Sequence, residues 1–222
     1  MGSQLMMRFD FGFASALTLA ALLSACSTQI EKPYFRTEGV KSPVSNCSVD
    51  PRSLGNVERI PDFSEHNGCG GRNVYKVYDI SGVTFSQPAV MRCEVADTLA
   101  EWIANTVQPR AKAIFGQNIV SFKVAASYAC RPRNNVSGAK LSEHGMANAI
   151  DIAAFTLANG MEINVLDDWY SGPSENRAFL RAIRSEACGP FHTVLGPGSD
   201  ADHRDHIHLD LQKERGGGAY CH

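Results

Sequence analysis

The chain has 222 residues, of which 44% are hydrophobic and 20% charged, which suits one packed domain with appendages and excludes a disordered or fibrous protein. Its formal net charge is −2 with both signs interspersed, so there is no basic field to attract nucleic acid and no acidic tail. Charge therefore names no partner.

Residues 11–25 form an unbroken run of apolar and small side chains preceded by Arg8. Fifteen residues are too few to span a bilayer comfortably, and they match the apolar core of a signal peptide. The run closes on Leu23-Ser24-Ala25-Cys26, which resembles a bacterial lipobox. That resemblance implies a signal peptide over 1–25 and acylation of Cys26 as the first mature residue. The anchor would hold the protein at the periplasmic face of a bacterial membrane, the outer membrane first. An ordinary signal peptide with an unmodified Cys26 is the alternative. Residues 26–46 are polar, contain Pro33 and Pro43 and have no apolar period, so they read as a tether before a domain over 47–222.

Setting Cys26 aside leaves six cysteines: Cys47, Cys69, Cys93, Cys130, Cys188 and Cys221. An even count in an exported chain reads as three disulfides, and no Cys-x-x-Cys pair points instead to zinc thiolates. Fifteen pairings are open, and the sequence does not choose among them.

Within the domain, residues 54–92 alternate glycines with short β-prone runs such as Val74-Tyr75-Lys76-Val77-Tyr78 and read as strands and loops. From 94 to 115, Val95, Leu99, Trp102, Ile103 and Val107 recur at three and four, one face of an amphipathic helix that Pro109 ends or kinks and Gly116 closes. Val120, Phe122 and Val124 then alternate with Ser121, Lys123 and Ala125 as a half-buried strand, which delivers the chain to Ser127-Tyr128-Ala129-Cys130-Arg131.

The stretch Ser142-Glu143-His144-Gly145-Met146-Ala147-Asn148-Ala149-Ile150-Asp151 carries a histidine and an aspartate seven positions apart. On a strand, Ile150 and Ile152 would bury on one face while Asp151 projects from the other. Ala158-Asn159-Gly160 reads as a hairpin turn. Ser174 caps a helix that buries Phe179, Leu180, Ile183 and Ala187, and residues 191–195 form another strand.

The last strand is read over His203-Arg204-Asp205-His206-Ile207-His208-Leu209-Asp210-Leu211. Period-2 alternation puts His206, His208 and Asp210 on one face and Ile207, Leu209 and Leu211 on the other. Taken alone, this is either a histidine-rich surface strand or a metal site. Two histidines and one carboxylate with an open position make a catalytic zinc set, so His144 and Asp151 upstream favour the second reading. The elements add up to an α+β domain: a small antiparallel sheet carrying the metal site, flanked by two or three helices and stapled by disulfides.

His-x6-Asp followed by His-x-His resembles the LAS metallopeptidases, which include lysostaphin and the D-alanyl-D-alanine metallopeptidases. More closely, the chain resembles the bacterial extensin-like C-terminal domain family. That likeness rests on Ser127-Tyr128-Ala129-Cys130-Arg131, on the two His/Asp-bearing motifs Ser142 to Asp151 and His206-Ile207-His208-Leu209-Asp210, and on Ala187-Cys188-Gly189 and Thr193-Val194-Leu195-Gly196-Pro197. It implies zinc held by His144, Asp151 and His208. His206 would contact or activate the attacking water, and Arg131 would steady the developing oxyanion. Asp205 competes with His206 for the proton-handling role, and His203 matches a third histidine of some murein endopeptidases. Ala147 departs from the pattern, since the peptidases favour glycine there.

With the expected location, the resemblance implies a zinc D,D-peptidase acting on peptidoglycan stem peptides. Cleavage of cross-links is expected ahead of terminal D-alanine removal. The alternative is a non-catalytic peptidoglycan-binding lipoprotein that keeps the fold. Oligomeric state is left open.

Overall fold

The computed structural model describes residues 46–65, 67–213 and 218–222. The expected signal peptide, Cys26 and all but the last residue of the tether lie outside the described residues.

The described chain opens on α1 (Pro51–Leu54), where the Asp50 carboxylate accepts from the Arg52 amide at 3.0 Å and proline occupies a first-turn position that needs no donor. The turn-rich segment then forms β1 (Val57–Ile60), β2 (Phe63–Ser64), β3 (Gly70–Gly71), β4 (Val74–Ile80) and β5 (Val83–Arg92). The next run is helical throughout, as α2 (Cys93–Trp102), a π-helical turn (Ile103–Val107) and α3 (Gln108–Phe115). Pro109 thus neither ends nor breaks the run. Having no N–H and needing clearance from the carbonyl four residues back, it sits just after a turn widened to i→i+5 bonding. Gly116 closes the helix in the left-handed region with φ 67°, as glycine is suited to do.

Strand β6 (Ile119–Ala126) corrects the expected alternation. Val120 is exposed and Ile119 is buried in its place, beside Phe122 and Val124. The cause is a bulge: Ile119 pairs with Leu157 and Ser121 with Thr156, so one extra residue flips the facing of what precedes it. Downstream come β7 (Ala149–Leu157), β8 (Glu162–Asn164), α4 (Val165–Asp168), α5 (Ser174–Ala187), β9 (Thr193–Leu195), β10 (Ile207–Asp210) and β11 (Tyr220–Cys221). The hairpin turn stands where expected, with Gly160 at φ 87° and β8 paired antiparallel to β7. Helix α5 buries the predicted face, but Ser174 is its first residue and Pro173, which offers no side-chain acceptor, holds the cap position.

The fold is α+β, but the main sheet is larger than expected and not purely antiparallel. Among the described residues it has nine strands, in the order β1-β4-β5-β6-β7-β10-β9-β11 with β8 on β7. Strands β5 and β6 run parallel, which a hairpin cannot achieve; the helical run 93–115 is the crossover that makes it possible. Strand β11 also lies parallel to β9.

Helices pack on one face of this sheet, where Trp102 donates its indole N–H to the Ile183 carbonyl at 3.2 Å and its ring meets Phe122 and Phe191. Ile150, Ile152, Ile207 and Leu209 point into the same core. By alternation, Asp151 and His208 face the other way. The three disulfides are Cys47–Cys93, Cys69–Cys130 and Cys188–Cys221, with Cα separations of 5.9, 5.6 and 6.0 Å.

Candidate metal centre

The centre is assembled by strand register. In the antiparallel pair β7/β10, Ile207 stands opposite Ile152, Leu209 opposite Ile150, and His208 opposite Asp151. Burying the aliphatic residues on the core face therefore forces the imidazole and the carboxylate together on the other. His208 Nδ1 lies 2.7 Å from Asp151 Oδ1. His144 arrives from a 3₁₀ turn, Glu143–Met146, begun by Ser142, whose hydroxyl accepts from the His144 amide at 3.4 Å. His144 Nε2 stands 3.0 Å from Asp151 Oδ2 and 3.2 Å from His208 Nδ1. All three side chains are buried, and one ligand atom of each lies within 4.8 Å of the others, so the group could hold a metal ion.

The outer nitrogens of the two imidazoles decide what the inner ones present. His144 Nδ1 lies 2.5 Å from the Ser127 carbonyl, which can only accept, so Nδ1 carries the proton and Nε2 of the neutral ring offers a lone pair. His208 Nε2 lies 2.9 Å from Asp210 Oδ2, another acceptor, so its neutral form presents a lone pair at Nδ1. Both lone pairs converge on the buried Asp151 carboxylate. Such a cluster of acceptors requires positive charge at its middle, and imidazoles held by outer acceptors are the usual donors to a metal.

Without an ion, protons must serve. Burial disfavours charge on His208, but its bonds to Asp151 and Asp210 outweigh this and push the imidazole up to about 10. Burial likewise opposes ionisation of Asp151, and the bonds from His144 and His208 overcome it, holding the carboxyl well below its ordinary range.

The other expected residues fall into two groups. His206 lies just before β10 rather than within it, a correction to the expected strand, yet its Nε2 comes 3.6 Å from Asp151 Oδ1. Its Nδ1 lies 2.8 Å from Asp205 Oδ1, and Asp205 is otherwise turned to solvent with 55% of its side chain exposed. His203 pairs with Asp200 at 2.7 Å and sets its ring 5.2 Å from that of His206 and 5.5 Å from that of His208. Burial and the neighbouring imidazoles lower its pKa against the pull of Asp200. On another flank, Arg131 lines a cavity of about 290 Å³ together with His144 and His208.

That cavity also contains residues the sequence reading passed over as site members. Asp210 anchors His208; its place two after the histidine on the same strand face was the available signal. Arg133 lines the cavity and bonds Gln212, and its Nη2 lies 3.8 Å from Glu143. Tyr220 forms part of the wall because Cys188–Cys221 and the β11/β9 pairing carry the chain end there, which no local pattern announces. Glu143 is buried and accepts from the Asn148 amide at 2.6 Å, while Arg92 bonds the other end of that amide.

No curated protein matches the chain. The family described as extensin-like protein C-terminus matches residues 45–222, which takes in every strand and helix named above. The chain belongs to the extensin-like protein C-terminus family.

Proposed function

We propose that the chain is a zinc-dependent D,D-peptidase that hydrolyses peptide cross-links of peptidoglycan, lipid-anchored through Cys26 at the periplasmic face of a bacterial outer membrane. The observation that supports the reading most is the convergence of His144 Nε2 and His208 Nδ1 on Asp151, each ring fixed from behind by an acceptor. Two imidazoles and a carboxylate are the donor set of hydrolytic zinc sites, as in the LAS metallopeptidases that the motifs resemble. Zinc held there would supply Lewis-acid polarisation of the scissile carbonyl and a lower pKa for the attacking water.

The chain's own residues would do the rest. His206, with Nδ1–H directed at Asp205 and Nε2 turned toward Asp151, is placed to take the water's proton at Nε2 and deliver it to the departing amine. Asp205 lies behind that imidazole and orients it rather than competing with it. Arg131, lining the cavity beside His144, would offset charge on the tetrahedral oxygen.

The test is digestion of purified cross-linked muropeptides by zinc-loaded wild type and His206→Ala, with metal content measured in both. The variant should keep its zinc and lose about 10²- to 10⁴-fold in hydrolysis. Equal hydrolysis by the two would remove His206 from the mechanism, and no hydrolysis by wild type would favour a binding module.

A further inference from the structure

Two guanidinium groups enter the cavity beside the metal ligands, and only Arg131 has a use in the chemistry above. Arg133 stands two residues further along a segment that leaves the Pro132–Leu141 bridge, and it lines the same space as His144 and His208. Its contacts with Gln212 and Glu143 both use Nη2, so Nη1 and Nε are left to meet a ligand. The side chain is 41% exposed, open enough to be reached yet held in place at one end.

The charges in this cavity are unequally committed. Its anions are Glu143, occupied by Asn148 and approached by Arg133, and Asp210, which accepts from His208 and from the Gln212 amide at 2.8 Å. Among the described residues, Arg131 meets only the carbonyl of its neighbour Pro132, at 3.5 Å. A half-open cavity with one lightly bonded arginine and a second presenting two donors selects for a planar anion, which guanidinium grips in two-point fashion.

Resting on the peptidase reading, we propose that Arg133 is a specificity-determining residue that binds a free carboxylate of the substrate. The size of the space sets where that carboxylate lies. A cavity of about 290 Å³ spans on the order of two extended residues, so the group recognised is next to the scissile amide and not remote from it. The substrate class is therefore an acidic peptide whose carboxylate adjoins the cleaved bond.

The experiment compares an N-acylated D-alanyl-D-alanine peptide with its C-terminal carboxamide, which differ only in that charge. Binding is measured by calorimetry and hydrolysis by chromatography, using zinc-loaded wild type, Arg133→Gln and Arg133→Lys. Wild type should bind the acid about tenfold or more tightly than the amide. The preference should shrink to within about twofold in Arg133→Gln and partly survive in Arg133→Lys, which keeps the charge but not the fork. A purely structural role for Arg133 would lower affinity for both peptides and leave their ratio alone. An unchanged ratio in Arg133→Gln, or no preference in wild type, overturns the proposal. The preference without hydrolysis of either this peptide or cross-linked muropeptides upholds this subsite and refutes the peptidase reading; no binding of either peptide refutes the subsite.

Discussion

His208 stands directly across the β7/β10 pair from Asp151, its Nδ1 2.7 Å from the carboxylate, while its Nε2 meets the second buried carboxylate, Asp210. One imidazole between two acids behaves in opposite ways with and without a metal.

In metal-free protein, the His208 pKa is raised from 6.5 to about 10, so its contribution to stability is complete below pH 6.5 and is lost as pH rises toward 10. Asp151 is depressed from 3.8, so its contribution is present above that value and is lost on acidification. Melting temperature in excess chelator should therefore be highest between about pH 4 and 6.5. It should fall from there to pH 9. Metal affinity should rise over the same alkaline interval, because a proton must leave Nδ1 before that nitrogen can act as a ligand. A flat or rising chelated curve from pH 6.5 to 9 would contradict the imidazolium–carboxylate pair.

Asp210→Asn keeps shape and an acceptor but removes the charge behind His208. Losing such an outer partner typically weakens metal binding about 10- to 100-fold. Competition against a chromophoric chelator measures it. Unchanged affinity would show that Asp210 does not act through His208.

Ala147 closes the His144 turn at φ 51°, in the left-handed region that costs a residue with a Cβ about 1–2 kcal/mol. Ala147→Gly relieves this and returns about 0.4–1 kcal/mol to the unfolded chain as entropy. The variant should be more stable by up to roughly 1.6 kcal/mol in urea denaturation, the most that the difference of those two effects allows. Destabilisation would mean that the methyl group's packing matters more than its backbone cost.

The Cys69–Cys130 disulfide should affect the centre as well as the fold. Cys130 lies between Ser127, which holds His144, and Arg131, and a Cβ at Gly145 would sit 3.1 Å from Cys69 Sγ. Replacing both cysteines by serine opens a loop of 61 residues and should cost about 4 kcal/mol by chain entropy. It should also weaken zinc binding by loosening the His144 turn. Titration of folded variant with zinc tests this, and wild-type affinity would separate the disulfide from the site.

How much of this was legible before the structure depends on how local the cause is. Ile150 and Ile152 around Asp151, and Ile207 and Leu209 around His208, announce a buried face and a polar one, so the grouping of His144, Asp151 and His208 as candidate ligands could be named from pattern and resemblance. The β6 bulge moved Val120 outward because β7 sets the register, pairing Leu157 with Ile119 and Thr156 with Ser121, and those partners are not written in the 119–126 segment. Sheet size was underestimated for a similar reason, since β11 joins by a disulfide and β6 by a helical crossover. Arg133 and Tyr220 reach the cavity by tertiary routes alone.

The central claim is that His144, Asp151 and His208 form one zinc site, and zinc stoichiometry tests it most directly. Purified wild type, His144→Ala and His208→Ala are each loaded with zinc, desalted and assayed for metal per folded chain. The account predicts about one ion per wild-type chain and none retained by either variant. Wild type without zinc, or variants that keep it, would contradict the account.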